Sequence, residues 1–355
     1  MIEKQPTIYD LAESLNVSVG TVYRALHNKG RISSATKERV LQKAAEMNFR
    51  LNQTAQALSR TPKTIGVILC CPVLPFLDEI HAGIMYEFDS LRQYNIFSDI
   101  HVLPPANADE CAQEISAFIQ EFIDRKYDGI ILFLSGSPRK CQNALLAAEA
   151  AEIPLVCLVN DLPLANRKVF VTSDGICAGR IAAGLLSMSS ANRRVAILTG
   201  SSSIHNHQLS LSGFMTETAN CRFEATDVYE HQDCPQLVEQ QLVEIFQHQP
   251  AYDGLYIASA SSITACPLLM ELNRERRVTV ITTDLFPQLQ EPLEQGTVMA
   301  TIFQNPFLQG RKAVASMYRY LCDELQTDIV KIAPQIVMRT NIGLYHINQR
   351  SKTDN

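Results

Sequence analysis

Residues 7–26 read TIYDLAESLNVSVGTVYRAL, a pattern that predicts two short amphipathic helices joined by a tight turn. Thr7 can cap the first helix, and Asp10, three residues later, completes a capping-box-like start. Ser18 can cap the second helix. Asn16 lies between them, and asparagine is one of the few non-glycine residues that accept the left-handed conformation such a turn often needs.

A third amphipathic segment extends from Ser33 to Met47, with Ser33 or Ser34 as its cap. Four of its side chains are expected to face inward: Val40, Leu41, Ala44 and Met47. Three such helices predict a small helix-turn-helix domain whose second helix places its N-terminal residues in the DNA major groove. The alternative, for a short helical head considered alone, is a three-helix module that binds protein.

The charge of this head differs from that of the remaining chain. Residues 1–63 contain ten lysine and arginine residues against five acidic ones, whereas the remaining residues contain 21 basic and 32 acidic side chains. The acidic whole-chain pI of about 5.8 therefore conceals a basic head on an acidic body. A basic head favours a nucleic-acid partner over a protein partner.

Three local patterns together resemble the lactose-repressor (LacI/GalR) family of bacterial transcription regulators. They are Val17-Ser-x-x-Thr-Val-x-Arg24, Asn52-x-x-Ala55-x-x-Leu58 and Thr64-Ile-Gly-Val67. The resemblance implies that Asn52–Arg60 is a hinge helix that folds on DNA. It also implies that Leu58 wedges into a minor-groove step, which unstacks the bases and kinks the duplex. The alternative for Leu58 is an ordinary linker leucine.

The head departs from the family pattern at two places. Leu51 stands where the family commonly has proline before the hinge asparagine, so the start of the hinge is less pre-set. Val19 and Gly20 stand at groove-facing positions, and neither can make a bidentate contact to a base. Base reading should then rely on Thr21, Tyr23, Arg24 and His27. The predicted DNA-contacting residues are Thr7, Val19, Gly20, Thr21, Tyr23, Arg24, His27, Asn52, Ala55 and Leu58.

The acidic body repeats one unit, a short apolar strand followed by an amphipathic helix. Apolar strands that alternate with helices predict parallel sheets covered on both faces. The alternation breaks after residue 159 and restarts at Val169–Thr172, which predicts two doubly wound subdomains in tandem. Ligands bind outside the carboxyl ends of strands in such sheets, so the fold predicts a small-molecule cleft between the subdomains.

The predicted fold is an all-α helix-turn-helix head joined to an α/β sensor of two parallel-sheet subdomains. The resemblance extends over residues 64–346, because the family's sensing core is similar to periplasmic sugar-binding proteins of type I. The predicted domains are a DNA-binding domain at 1–50, a hinge helix and linker at 51–63, a ligand-sensing domain at 64–346 and a tail at 347–355. Within the sensor, the first subdomain is expected at about 64–162 and 290–320, and the second at about 163–289 and 321–346.

The resemblance also implies a set of ligand-binding positions near strand ends. Gln208 and Ser210 occupy a segment that usually offers an arginine to the ligand, and Ser259 replaces a common asparagine. The predicted ligand-binding residues are Phe76, Asn160, Asp174, Gln208, Ser210, Ser259, Asp284 and Gln304. Each of the stronger candidates has an ordinary alternative: Phe76 as a core residue, Asp174 as a helix N-cap and Asp284 as a partner of loop backbone.

The chemistry of these residues suits a sugar or a polyol. Each hydroxyl group buried without a partner costs about 1–3 kcal/mol, so a polyol site needs several hydrogen-bonding groups around an apolar platform. Asp174, Asp284, Asn160 and Gln304 with Phe76 meet that need. The absence of the usual arginine and asparagine argues against an ordinary hexose.

The sequence offers little support for an enzyme. It contains no G-x-G-x-x-G after a strand, no G-x-x-x-x-G-K-[ST], no H-E-x-x-H and no C-x-x-C, so we expect no cofactor and no metal. The ten cysteines are scattered, and Cys70, Cys71 and Cys157 fall in predicted strands as small buried residues, which indicates a reducing compartment. No secretory or membrane-spanning segment is evident, so we expect a cytoplasmic protein.

These inferences predict a ligand-responsive transcription regulator, more specifically a repressor, that acts as a homodimer on pseudo-palindromic operator DNA. The dimer is expected because one helix-turn-helix reads only a few base pairs, and two symmetric heads restore affinity. The effector is expected to be a sugar, a polyol or a related compound. Two alternatives stay open: a solute-binding module and a sugar-modifying α/β enzyme, each carrying a DNA-binding head.

Overall fold

A computed structural model describes most of the chain. The described residues are 6–26, 32–47, 49, 61–136, 138–162, 164, 166–188, 193–202, 204–275, 277–322 and 328–345. The chain divides into two units, one comprising 1–62 with 92–95 and the other comprising the remaining residues. We call them the head and the body.

The head contains the helices that the sequence predicts: α1 (Ile8–Leu15), α2 (Val19–Leu26) and α3 (Ser34–Glu46). The predicted capping box is confirmed, since the Asp10 amide donates to Thr7 Oγ1 at 3.3 Å and the Thr7 amide donates to Asp10 Oδ2 at 2.6 Å. Asn16 ends α1 with φ of 52°, as the turn was expected to require. The Thr21 amide donates to Ser18 Oγ at 3.1 Å, so Ser18 caps α2.

The three helices bury one small apolar core between them. Its fully buried members are Leu11, Ala12, Val22, Ala25, Val40 and Ala44, with Met47 packed against them. The expectation for Leu41 is wrong, because 44% of this residue is exposed. Val40 and Ala44 are four residues apart and share one helix face, whereas Leu41 lies about 100° further round the helix. The buried face of α3 is therefore narrower than the apolar pattern of the sequence predicted.

The body contains twelve strands and nine further α-helices among its described residues. The strands are β1 (Lys63–Cys70), β2 (Ile96–Val102), β3 (Gly129–Leu134), β4 (Leu155–Leu158), β5 (Arg167–Ser173), β6 (Arg194–Thr199), β7 (Ala225–Glu230), β8 (Gly254–Ile257), β9 (Thr279–Thr283), β10 (Ala300–Phe303), β11 (Asp328–Ile332) and β12 (Gln335–Met338). The helices are α4 (Leu74–Leu91), α5 (Ala112–Asp124), α6 (Gln142–Ala150), α7 (Gly175–Ser187), α8 (His205–Glu217), α9 (Pro235–Gln247), α10 (Ser262–Leu272), α11 (Gln290–Gln295) and α12 (Pro306–Leu321). Short 3₁₀ turns occur at Arg92–Tyr94, Thr218–Asn220, Pro287–Leu289 and Ile342–Leu344.

The strands form two six-stranded sheets, which confirms the predicted fold class. The first has the order β11-β5-β4-β3-β1-β2, and the second has the order β12-β10-β9-β8-β6-β7. Neighbouring strands are parallel throughout the first sheet, and the only antiparallel pair among the described strands of the second is β10 with β12. The central strands are almost completely buried, as expected when helices cover both faces of a sheet.

The chain passes from one sheet to the other at three places: after β5, after β10, and between β11 and β12. The subdomain boundaries expected from the sequence are therefore wrong in detail. Arg167–Ser173 and Asp328–Ile332 belong to the first sheet, and Ala300–Phe303 belongs to the second. Strands of both sheets have the same apolar pattern, so a change of sheet leaves no mark on the sequence. We call the connections at 174, at 304–305 and at 333–334 the first, second and third crossovers.

Glycine allows two pairs of helices in the body to touch backbone to backbone. In the first pair, a Cβ built on Gly83 of α4 would overlap the Phe307 carbonyl oxygen of α12, and one on Gly310 would overlap the Ile80 carbonyl oxygen. The second pair repeats this arrangement. A Cβ on Gly179 of α7 would overlap the carbonyl oxygen of Ser210 in α8. The helix that follows each of the first two crossovers is thereby held close to a helix of its own subdomain.

The backbone contact at Gly179 makes a direct prediction for stability. Gly179→Ala should lower the free energy of unfolding by about 1–3 kcal/mol or more, because the new methyl group meets backbone that cannot rotate away. Chemical denaturation of the body, followed by circular dichroism, would measure the change.

Gly184→Ala is the matched control, since Gly184 lies in the same helix and a Cβ there would have no neighbour within 4 Å. We expect that substitution to raise stability by up to about 1 kcal/mol through helix propensity. Equal effects at the two positions would show that the α7–α8 contact is not tight.

Candidate functional site

The second helix of the head, α2, exposes three residues on one face. Gly20, Tyr23 and Arg24 are exposed, and the Arg24 Nε donates to the Gly20 carbonyl oxygen at 3.0 Å. Thr21 is half-buried, and its hydroxyl group lies 2.9 Å from Ser18 Oγ. Val19 is half-buried as well and packs against the head core. The face that could contact a base therefore consists of Gly20, Tyr23 and Arg24, with Thr21 at its edge.

Not all predicted DNA-contacting residues can be located. Thr7 holds the first turn of α1 through its capping box, which gives it a structural role irrespective of DNA. His27, Asn52, Ala55 and Leu58 lie outside the described residues.

Asp284 is the most unusual polar residue of the body. It follows β9 directly, has φ of 68°, and is 3% exposed. Gln304 Nε2 donates to both of its carboxylate oxygens, at 3.0 and 3.1 Å. Burial raises the pKa of Asp284 to about 7, because the charged form loses hydration that the Gln304 hydrogen bonds replace only in part.

Gln304 connects Asp284 to a further helix. Gln304 lies at the second crossover, and its Oε1 accepts a hydrogen bond from Asn206 Nδ2 of α8 at 3.2 Å. The Cys71 thiol follows β1 of the first sheet, where burial raises its pKa to about 12 and the nearby Asp284 carboxylate adds to the shift. Asp284 therefore lies at the place where the carboxyl ends of the two sheets approach each other. The sequence pattern did not indicate Asn206, although it lies in α8 two residues before Gln208.

Asp174 lies at the first crossover and has all the contacts of a helix cap. Its Oδ1 accepts from the Cys177 amide at 3.1 Å, and its Oδ2 lies 3.2 Å from Lys331 Nζ of β11. Its own amide donates to the Ile332 carbonyl oxygen at 3.0 Å. These contacts join the first crossover to β11, the strand that precedes the third crossover. The pattern did not indicate Lys331, because its strand is short and exposed.

The two candidates of the first subdomain, Phe76 and Asn160, already have partners within that subdomain. Phe76 occupies the first turn of α4, is 6% exposed and meets Phe133 of β3 edge to face, with ring centroids 6.1 Å apart. Asn160 follows β4, and its Nδ2 donates to the Leu134 carbonyl oxygen at 3.0 Å. Phe76 thus contributes to the core of this subdomain, whatever further contact it makes.

The polar residues of α8 separate into two environments. Ser210 is buried, and its hydroxyl group lies 2.9 Å from Tyr256 Oη inside the second subdomain. Gln208 is exposed, and its Nε2 donates to the Ser202 carbonyl oxygen at 2.6 Å. Neither residue has a hydrogen bond to Asp284 or Gln304 within the described chain, so the structure does not bring them together with that pair.

Ser259 belongs to a buried network with His231. The Asp233 amide donates to His231 Nδ1 at 3.1 Å, which leaves the ring proton on Nε2. Nε2 therefore donates to Ser259 Oγ at 3.0 Å, and Ser259 Oγ lies 2.7 Å from Ser261 Oγ. Burial lowers the pKa of His231, so this imidazole is neutral at pH 7. The sequence pattern does not indicate a role for His231 in binding, because a lone histidine is more often structural.

No helix in the described part of the chain is both long and apolar enough to cross a bilayer. The helices of the body cover sheets, and their apolar stripes are used in that packing.

Two family models match the chain. The model for the periplasmic binding protein domain matches residues 65–325, and the model for bacterial regulatory proteins of the lacI family matches residues 7–52. The larger match covers the body from β1 to α12, and the smaller one covers the three helices of the head.

Similar characterised proteins include regulators from Bacillus subtilis (strain 168). The chain is 25% identical to its ribose operon repressor over 320 residues, which covers 86% of this chain and 89% of the repressor. It is 27% identical to the HTH-type transcriptional regulator DegA over 210 residues, which covers 59% of each protein, so the chain spans less than two thirds of that relative.

Solved structures share the fold of the body. One is an ABC transporter solute-binding protein from Burkholderia graminis C4D1M in complex with D-arabinose, with a TM-score of 0.69 and 18% identity. The match covers 81% of this chain and 99% of that protein. The chain therefore belongs to the proteins with a periplasmic binding protein domain, and its head is a domain of the kind found in bacterial regulatory proteins of the lacI family.

Proposed function

We propose that the chain is a DNA-binding transcription regulator, acting as a repressor, whose operator binding is controlled by a small polar ligand held between the two subdomains. The observation that carries this proposal is the pairing of two features in one chain. The head exposes Gly20, Tyr23 and Arg24 on one face of α2. The body has a buried carboxylate, Asp284, where the carboxyl ends of the two sheets approach each other. The proposed activity is binding, not catalysis.

The proposed DNA contact uses the face formed by Gly20, Tyr23 and Arg24. An arginine can make a bidentate contact to guanine, while Gly20 adds no side chain and lets the duplex approach the backbone closely. Residues 51–63 are proposed as the hinge and linker, with Asn52, Ala55 and Leu58 contacting the minor groove. The acidic body repels phosphate, so the basic head supplies the affinity.

We further propose a cytoplasmic homodimer. A single head reads only a few base pairs, and two heads related by twofold symmetry would read the two halves of a pseudo-palindromic operator. Linking the two weak contacts raises overall affinity without any new interface to DNA.

The proposed ligand is a sugar, a polyol or a related compound. Asp284 and Gln304 would bind it from the second subdomain and the second crossover, with Asn160 and Phe76 on the first-subdomain side and Asp174, Ser259, Gln208 and Ser210 as further candidates. A relative, the ribose operon repressor, and a structural neighbour crystallised with D-arabinose support this class of ligand. Among the candidates, Asp284 has the strongest physical support, since its burial without a full set of partners lowers stability.

Coupling between ligand and operator would follow from differential affinity. A ligand that contacts both subdomains stabilises one arrangement of the body over another, and it can change DNA binding only by the difference in its affinity for the two. The hinge and linker at 51–63 would transmit that preference to the head.

Arg24 is expected to read a base. Arg24→Ala should weaken operator binding by about 1–3 kcal/mol and relax the preference at one position of each half-site. Selection of binding sites from random DNA would measure the change in preference. Arg193→Ala, which removes an exposed arginine that pairs with Glu224 in the body, is the control and should leave the selected sequence unchanged. An unaltered selection with the Arg24 variant would contradict the assignment.

Asp284 is expected to bind the ligand without contributing to DNA binding. Asp284→Asn should weaken ligand binding by about 1.5–3 kcal/mol, the range for a hydrogen bond to a charged group, and leave operator affinity unchanged when no ligand is present. Calorimetry with the compound that co-purifies with the protein, together with an operator-binding assay, would test both halves. Full ligand affinity in the variant would move the site elsewhere.

The raised pKa of Asp284 also predicts how stability depends on pH. Between its ordinary value of 3.8 and about 7, the folded state keeps a proton that the unfolded state has lost, so the free energy of unfolding falls as pH rises through this window. Asp284→Asn should remove that loss and be more stable than the original by about 2–4 kcal/mol above pH 7. Denaturant titrations at several pH values would show it. A constant difference between the two proteins from pH 4 to pH 8 would argue against a buried, titrating Asp284.

A further inference from the structure

The hydrogen bonds around Gln304 form a chain with a fixed direction. Because the Asp284 carboxylate can only accept, it orients Gln304 Nε2 towards itself and turns Gln304 Oε1 towards Asn206. Asn206 must then present Nδ2 to Gln304, which leaves its Oδ1 as a buried acceptor with no partner among the described residues.

A second unpartnered acceptor belongs to the same group. Gln309, in α12, is completely buried, and its Nε2 donates to the Gln304 carbonyl oxygen at 3.0 Å. Its Oε1 has no partner in the described part of the protein. The residues bonded to Gln304 therefore include a carboxylate and two amide oxygens that have no partner within the described residues. Each unpaired buried group costs about 1–3 kcal/mol, so this arrangement favours a ligand rich in donors.

The charge of the surrounding edge points in the same direction. Five segments follow strands of the second sheet at its ligand edge: 200–204, 231–234, 258–261, 284–286 and 304–305. They contain two aspartates, Asp233 and Asp284, and no lysine or arginine. His207 and His231 lie at this edge, and burial lowers the pKa of both, which favours their neutral form.

Basic residues of the first subdomain do not supply Asp284 with a positive charge. Lys331 pairs with Asp174 at 3.2 Å, and Arg139 and Lys140 are exposed on the segment after β3. Within the described chain, no ion pair joins Asp284 to any of these cations. A buried carboxylate needs a counter-charge or a proton, and the protein supplies no counter-charge here.

We propose that the missing counter-charge belongs to the ligand: the site takes a polyhydroxy amine, such as an amino sugar, whose ammonium group binds Asp284. An ammonium group has three donors, no acceptor and a positive charge, which suits a buried carboxylate that has no cation of its own in the described chain. A neutral sugar satisfies the hydrogen bonds but leaves the charge unpaired, and a phosphorylated sugar adds a like charge to it. This inference rests on the proposed function, since it names the ligand class of the same site.

The test uses the full chain and matched sugars that differ in one group. The probes are D-glucose, D-glucosamine, N-acetyl-D-glucosamine and D-glucose 6-phosphate, together with the corresponding galactose set. Calorimetry at slightly alkaline pH, where Asp284 is ionised, should show each amine binding about tenfold or more tightly than its hydroxyl, acetylated and phosphorylated counterparts. Asp284→Asn should abolish this preference for the amine.

Asp233→Asn is the matched control. Asp233 is the other aspartate of the same edge, but its Oδ2 already accepts from the Ser201 amide at 3.0 Å. The control variant should keep the preference for the amine. If it loses that preference and Asp284→Asn does not, the assignment of the counter-charge to Asp284 is wrong.

Two results would overturn the inference, and they differ in what they say about the proposed function. A neutral or phosphorylated sugar that binds as tightly as its amine would reject the ammonium and leave ligand sensing intact. Binding of no probe would also reject it, and the effect of deproteinised cell extract on operator binding would then decide the rest. Release or tightening of the operator by the extract would preserve the proposed regulator, and no effect would count against both.

Discussion

Close contact between helix backbones determines how the body divides. At Gly83 with Gly310, and at Gly179 with Gly213, helices approach so closely that any side chain would overlap a carbonyl oxygen of the partner helix. The contacts fix α12 on α4 and α7 on α8. Each pair contains the helix that follows a crossover, so the chain is held firmly just beyond the point where it changes sheet. Relative movement of the subdomains is thereby left to the three crossovers, two of which contain candidate ligand residues.

That division explains why a costly residue, Asp284, is tolerated beside the second crossover. Asp284 adopts a left-handed backbone conformation and loses its hydration, and both features lower the stability of the folded state. Its partner Gln304 lies on the crossover itself and is bonded in turn to Asn206 of α8 and to Gln309 of α12. Residues from both subdomains thus meet at one residue, Asn206 and Asp284 at its side chain and Gln309 at its backbone carbonyl oxygen. A ligand that supplies the missing partner would stabilise this junction, and the stored cost would become binding energy.

The sequence predicted what depends on local chemistry and missed what depends on tertiary packing. The capping box of Thr7, the left-handed Asn16 and the alternation of strands and helices follow from neighbouring residues, so they could be read directly. The crossovers could not, because a strand has the same apolar pattern in either sheet. Ser210 shows the same limit within the site. It was identified from its place in a motif, yet its hydroxyl group bonds Tyr256 in the interior, while Asn206, one turn nearer the start of α8, reaches Gln304.

The distribution of charge gives the two ends of the molecule opposite preferences. The head carries twice as many basic as acidic residues within 1–63, and phosphate contacts release counterions, so DNA affinity should concentrate there. The body carries 32 acidic and 21 basic residues beyond position 63, and its field disfavours phosphate groups of any kind. The same negative field that keeps the body off the duplex acts at the second-sheet edge, where Asp284 has no cation of its own. A single electrostatic bias would therefore separate the proposed nucleic-acid surface from the proposed ligand site and select against anionic ligands at the latter.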